Sequence, residues 1–214
     1  EQFILPRPTA RFDFELALKE CERELLHQGI TTIFHSFSLY KDEKFGKSPL
    51  RTHGSVREMA ALIRDIHDRY HLIHHRFHLR LEIDNLDAYD IAADMIEKGL
   101  IHEISFMDHS PGQGQFKNLA IYRTALAKYN GMTEEEYDFE GFLEREKHKK
   151  MLSFDQLREL ARLAHSHGIA VASHDDDTRE KLDLNREIGV DISEFPITIP
   201  AAQYAKSLGF YTVV

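Results

Sequence analysis

One cysteine, Cys21, stands in 214 residues, so no internal disulfide can form. No apolar run approaches the ~20 residues that a membrane-spanning helix requires, and no signal-peptide pattern is present. Low-complexity segments, flexible linkers and sequence repeats are absent, and no Gly-rich nucleotide fingerprint follows any strand pattern. Basic residues are in deficit: 27 Lys and Arg against 36 Asp and Glu give a net charge of −9, which argues against nucleic acid as a partner. These absences predict a cytoplasmic protein with neither membrane nor nucleic acid as a partner, compatible with a homo-oligomer. Cys21 itself falls on the apolar face of a predicted helix, where a buried, inert thiol is expected.

What is present suffices for one folded unit. With 42% hydrophobic residues the chain can bury a sizeable core, and a single domain is the default. The first residue is Glu1 rather than methionine, and Phe210–Val214 stops inside an apolar strand pattern, so the sequence reads as a fragment.

Periodicity predicts a helix over about 13–28, with Phe14, Ala17, Leu18, Cys21 and Leu25 on one face, and a strand over 30–37. A capping-box pattern at Ser55 and Glu58 opens a helix to about Tyr70. The strand 74–83, the helix 86–98 and the strand 101–109 follow. A longer polar helical excursion spans about 116–150, is broken at Asn130-Gly131 and restarts at a Thr133/Glu136 capping box. Its Glu/Lys-rich second half reads as a solvated surface. Ser153 and Gln156 cap the next helix, which ends near Gly168. The strands 169–173, 192–195 and 210–214 then alternate with helices over about 178–188 and 200–208. Strand-helix alternation implies parallel strands joined by right-handed crossovers, either an open doubly wound sheet or part of a barrel. Polar residues at several strand ends favour a partial (β/α)8 TIM barrel with about six parallel strands.

Two strand ends carry a histidine beside a carboxylate. One is Ser105-Phe-Met-Asp108-His109-Ser-Pro111-Gly-Gln113-Gly-Gln115-Phe116, and the other is Ala172-Ser-His174-Asp175-Asp-Asp177. The strand from His74 to Ile83 alternates His74, Arg76, His78, Arg80 and Glu82 on one face with His75, Phe77, Leu79, Leu81 and Ile83 on the other. In a barrel the charged face points inward, with Glu82 uppermost, and burying it requires partners or a ligand. An Arg80–Glu82 network that only stabilises the interior is the alternative. Glu82, His109 and His174 are therefore potential ligands for zinc or a similar divalent ion. Asp108 and Asp175 fit either orientation of the histidines, contact with substrate or plain turn initiation. The loop Pro111–Gln115 has the makings of an anion-binding nest beside the helix that follows. Glu194-Phe195-Pro196 ends the fifth strand and either adds a contact to the site or simply forms a strand-end turn.

These stretches, with Pro6-Arg7-Pro8, Gly29-Ile-Thr-Thr32 and His78-Leu-Arg-Leu-Glu82, resemble in order the amidohydrolase-superfamily enzymes of the phosphonate carbon–phosphorus lyase pathway. The resemblance implies a metal-dependent barrel that hydrolyses a ribose 5-triphosphate to a 5-phosphate, releasing pyrophosphate. It places Glu82, His109 and His174 at metal-site positions. It also implies that the six strands are the second to the seventh of the barrel, and that the chain lacks the first strand's His-x-Asp, the last strand's aspartate and a small β domain. The isolated chain is then expected to be inactive and unstable, because an open barrel exposes strand edges. In that reading Arg80, Gln113 and Gln115 hold phosphate oxygens of a small phosphorylated sugar. An enzyme of the same fold acting on a cyclic amide or another C–N bond, and a non-catalytic phosphosugar-binding homologue, are the alternatives.

Overall fold

A computed structural model describes residues 3–4, 12–39 and 50–213; Pro6-Arg7-Pro8 lies outside the described residues. The elements are α1 Phe14–His27, β1 Thr32–Leu39, α2 His53–Arg69, β2 His74–Glu82, α3 Ala88–Glu97 and β3 Glu103–Met107. A 3-10 turn at Gly114–Phe116 precedes α4 Leu119–Tyr129 and α5 Phe139–Lys147. The last six are α6 Phe154–Ser166, β4 Ala170–His174, α7 Arg179–Ile188, β5 Ile192–Glu194, α8 Ile199–Ser207 and β6 Tyr211–Val213.

All six strands are parallel and lie in chain order, β1-β2-β3-β4-β5-β6. A doubly wound sheet reverses its strand order at a switch point; this one does not. Sequential order is what a stretch of a (β/α)8 barrel has, and the α/β architecture fits a partial barrel of that type. No helix among the described residues is long and apolar enough to cross a membrane.

Register sorts the strand residues into two faces. Phe77, Leu79 and Leu81 of β2, Ile104 and Phe106 of β3 and Val171 of β4 enter the main core against the helices. Leu79 and Leu81 are fully buried there, each worth roughly 1.5–3 kcal/mol of transfer free energy. The opposite face carries His78, Arg80, Glu82, Ser105, Met107, His174 and Glu194. Leu126, Phe139 and Phe142 join Tyr122 in a second small core within the excursion.

Several boundaries differ from the sequence expectation for local reasons. Ile30 belongs to the exit turn of α1, its N–H bonded to the Leu25 carbonyl, so β1 starts at Thr32. Thr52, not Ser55, caps α2: its Oγ1 accepts from the Ser55 N–H. The Thr133/Glu136 pair makes both reciprocal bonds, yet it closes only a turn, and the helix restarts at Phe139 under Asp138. The Ser153/Gln156 capping box forms as expected. Cys21 is half-buried rather than enclosed, and burial raises its thiol pKa.

On the helix-facing side, Asp176 ties two strands to α7. It is fully buried and accepts from Ser173 Oγ (2.5 Å), Ser193 Oγ (2.5 Å) and Asn185 Nδ2 (2.8 Å). Asp176→Ala removes the acceptor of two buried hydroxyls and one half-buried amide and is expected to cost about 2–4 kcal/mol in denaturant unfolding. A loss below ~1 kcal/mol contradicts this role.

Buried histidines set the acid limb of stability. Desolvation holds His35 and His78 down to about 3, with His75 adding to the effect at His35 and Arg80 and His174 at His78. A depressed histidine contributes stability above the ordinary value of 6.5 that is lost as pH falls towards 3. Glu194 acts oppositely: desolvation and Glu103 raise it from 4.5 to about 7, so its folded form gains protons first between those values. The opposing effects overlap from about 6.5 to 4.5, and below that only the histidine loss remains. Urea midpoints measured at pH 7, 5.5 and 4 should fall most steeply in the last interval, and His35→Gln should lose less than the parent chain. Equal losses in both rule out the His35 contribution.

Candidate active site

The polar face of the sheet closes into a site at the carboxyl ends of β2, β3, β4 and β5. β2 ends in Glu82, which is 2% exposed. Its Oε2 accepts from His109 Nδ1 at 2.9 Å, two residues past β3. A carboxylate can only accept, so the His109 proton sits on Nδ1 and the ring's lone pair on Nε2. Glu82 therefore turns to His109, and not to Arg80 as the alternative reading had it. Behind the histidine, Tyr122 Oη donates to the His109 carbonyl at 3.2 Å, and the Phe116 ring meets the imidazole edge-on. The helical excursion thus supports the site and is not only a solvated surface.

His174 is the last residue of β4. Arg80 Nη2 donates to its Nε2 at 3.4 Å, and Asp175 Oδ2 lies 2.9 Å from its Nδ1, out of line for a hydrogen bond. Ligand atoms of His109, His174 and Asp175 fall within 4.8 Å of one another, all three residues buried. Two imidazoles and a carboxylate at such spacing suit zinc or a similar divalent ion, and Glu82 stands where a carboxylate orients a histidine ligand. Asp175 was read from sequence as an orienting or substrate residue; here it stands in the ligand cluster, with Glu82 one bond behind.

Among the described residues, four buried polar atoms at this face make no hydrogen bond, Arg80 Nε, Glu82 Oε1, His174 Nδ1 and Glu194 Oε2, while Glu82 Oε1 lies 2.8 Å from His109 Nδ1 and Glu194 Oε2 3.8 Å from His78 Nε2. Native structures rarely leave such groups unsatisfied, and their concentration in one place marks a site built for a ligand. Backbone strain coincides with it. Asp175 (φ 54°) and Phe195 (φ 51°) sit in the left-handed region immediately after His174 and Glu194. Asp tolerates that conformation; for Phe it costs on the order of 1–3 kcal/mol. The Phe195 ring lies 5.2 Å from that of His174. Lys181 of α7 donates to the carbonyls of His174 (3.0 Å) and Asp175 (3.3 Å), which fixes this turn.

The glycine loop meets the site differently from the nest expected. A Cβ at Gly114 (φ +52°) would come within 3.1 Å of both Asp175 Cβ and its carbonyl oxygen, so the close approach is to Asp175. Its N–H donates to Asp177 Oδ2. At the start of α4, Asn118 Oδ1 accepts from the Ala120 and Ile121 N–H groups. Gln113 is half-buried and Gln115 exposed at the rim. Asp108 Oδ1 accepts from Ser110 N–H, the turn-initiating role. Sequence reasoning missed Tyr122, Lys181 and the inward burial of Glu194; the Glu-Phe-Pro run was the one available signal for the last.

No known family profile matches the chain. Over 213 residues it is 27% identical to the alpha-D-ribose 1-methylphosphonate 5-triphosphate diphosphatase of Escherichia coli (strain K12), a match that covers 98% of this chain. The chain spans about half of that curated relative, 54% of its length.

Proposed function

We propose that this chain carries the larger part of a metal-dependent hydrolase site that cleaves a phosphoric anhydride bond of a 5-triphosphorylated ribose, releasing pyrophosphate. The observation that carries the proposal is the convergence of orphaned buried polar atoms on the His109/His174/Asp175 cluster at the carboxyl edge of the sheet. The name of the curated relative supplies the substrate class. A divalent ion held there, zinc by its donor set, would supply Lewis acidity towards a phosphoryl oxygen and a bound water of lowered pKa.

The chain's own residues divide the remaining tasks. Glu82 holds the His109 proton on Nδ1 and so aims Nε2. Arg80 presents a guanidinium whose buried Nε has no protein partner, a fork suited to phosphate oxygens. Gln113 and Gln115 stand at the rim, where the distal phosphates of an extended substrate would pass. Phe195 packs on His174 and shields one side of the turn from water.

Pyrophosphate release from a ribose 5-triphosphate, assayed with the full-length protein supplied with zinc, tests this reading. Glu82→Gln is expected to lower kcat/KM by about 10–100-fold, His174→Asn by more, and Arg80→Ala to raise KM. Unchanged turnover in Glu82→Gln and His174→Asn contradicts the assignment. Turnover of cyclic amides in place of ribose triphosphates would move the site to C–N hydrolysis, and binding without turnover to a phosphosugar-binding role.

A further inference from the structure

A second group of histidines lies at the opposite end of β2 from the site above. His67 is in the last turn of α2, His71 follows the C-cap Tyr70, and His74 is the first residue of β2. One ring nitrogen from each lies within 4.8 Å of the others. The rings of His67 and His71 are stacked at 4.2 Å between centroids, and His74 stands 5.4 Å from His71 and 5.7 Å from His67.

Three features make this more than a crowd of surface imidazoles. First, His71 Nδ1 lies 2.6 Å from the His67 carbonyl oxygen. A carbonyl can only accept, so His71 carries its proton on Nδ1 and its lone pair on Nε2, the arrangement in which a backbone carbonyl orients a ligating histidine. Second, His67 Nδ1 is buried with no partner among the described residues. Third, the connection bearing His71 and His74 is fixed in advance. Glu22 of α1, 5% exposed, accepts from the Leu72 N–H (2.5 Å), the Ile73 N–H (3.1 Å) and His75 Nε2 (3.0 Å). The Tyr70 hydroxyl donates to Glu15 at 2.5 Å. A turn held by two carboxylates of α1 loses little entropy when its side chains close on an ion.

We propose that His67, His71 and His74 form a binding site for a divalent transition cation, zinc foremost, separate from the His109/His174/Asp175 cluster. Three imidazole nitrogens with water completing the shell suit zinc, nickel or copper; magnesium and calcium require oxygen donors. The end of a helix, where carbonyl groups carry partial negative charge, favours a cation as well. His71 and His74 are exposed, so their rings can turn from the stacked arrangement to converge on an ion. Bound there, the ion clips the end of α2 to the start of β2 and stabilises the fold by mass action, because the unfolded chain does not hold the three rings together.

Zinc titration of the protein, followed by long-range 1H–15N correlation of the histidine rings, tests the site. The expected result is saturable shifts of His67, His71 and His74 with one equivalent of zinc, retained in a His109→Asn/His174→Asn variant. His71→Asn and His74→Asn, both at exposed positions, should each weaken this binding about tenfold or more. In the His109→Asn/His174→Asn background, zinc at about 100 times the Kd of this site should raise the folding equilibrium constant about 100-fold, and much less once His71→Asn is added. Shifts confined to His109 and His174, or shifts of these three rings only at millimolar zinc, overturn the proposal.

Discussion

Burying Glu82, and half-burying Arg80, on the inside of a parallel sheet costs up to several kcal/mol unless partners are supplied, and the surrounding elements are arranged around supplying them. Strand β2 can carry those charges because its other face, Phe77, Leu79 and Leu81, is locked into the core against the helices. A slip of one residue would exchange the faces and place leucine where ligands converge. The neighbouring strands answer β2 in register: His109 receives Glu82, and His174 receives Arg80. The interior polar layer therefore has partial solutions from the protein alone. The atoms left without a hydrogen bond among the described residues are those the proposed cation and anionic substrate would complete.

Much of this was legible in the sequence because two periods are hard to disguise. The alternation along His74–Ile83 separates the charged face from the apolar one, and the strand-helix alternation implies parallel strands, whose chain order the structure supplies. His109 and His174 stood out because each follows an apolar run and precedes a turn. The finer assignment of roles was not legible. Glu82 and Asp175 are both carboxylates near histidines, and only geometry shows that Glu82 holds His109 Nδ1 while Asp175 shares the ligand cluster with His174. Asp176, adjacent to Asp175, serves the opposite side of the sheet, a distinction that rests on the left-handed turn at Asp175.

The long excursion between β3 and α6 shows why the rest could not be read. Its composition is that of a solvated helix, and α5 is largely so. Yet Tyr122, Phe139 and Phe142 build a small core whose purpose is positional: the Tyr122 hydroxyl reaches the His109 carbonyl and Phe116 backs the ring. Such a contact depends on how a remote segment folds back, which local periodicity does not encode. The Gly114 loop is similar. Its glycine is required by the close approach of Asp175, which the sequence does not show.

The central claim is that His109, His174 and Asp175 hold a divalent ion, with Glu82 fixing the first of them. Crystals of the zinc-loaded protein measured at the zinc absorption edge test it most directly. The account predicts an anomalous peak among His109, His174 and Asp175, lost in His174→Asn and weakened in Glu82→Gln. Zinc-dependent hydrolysis with no peak at those residues would contradict it.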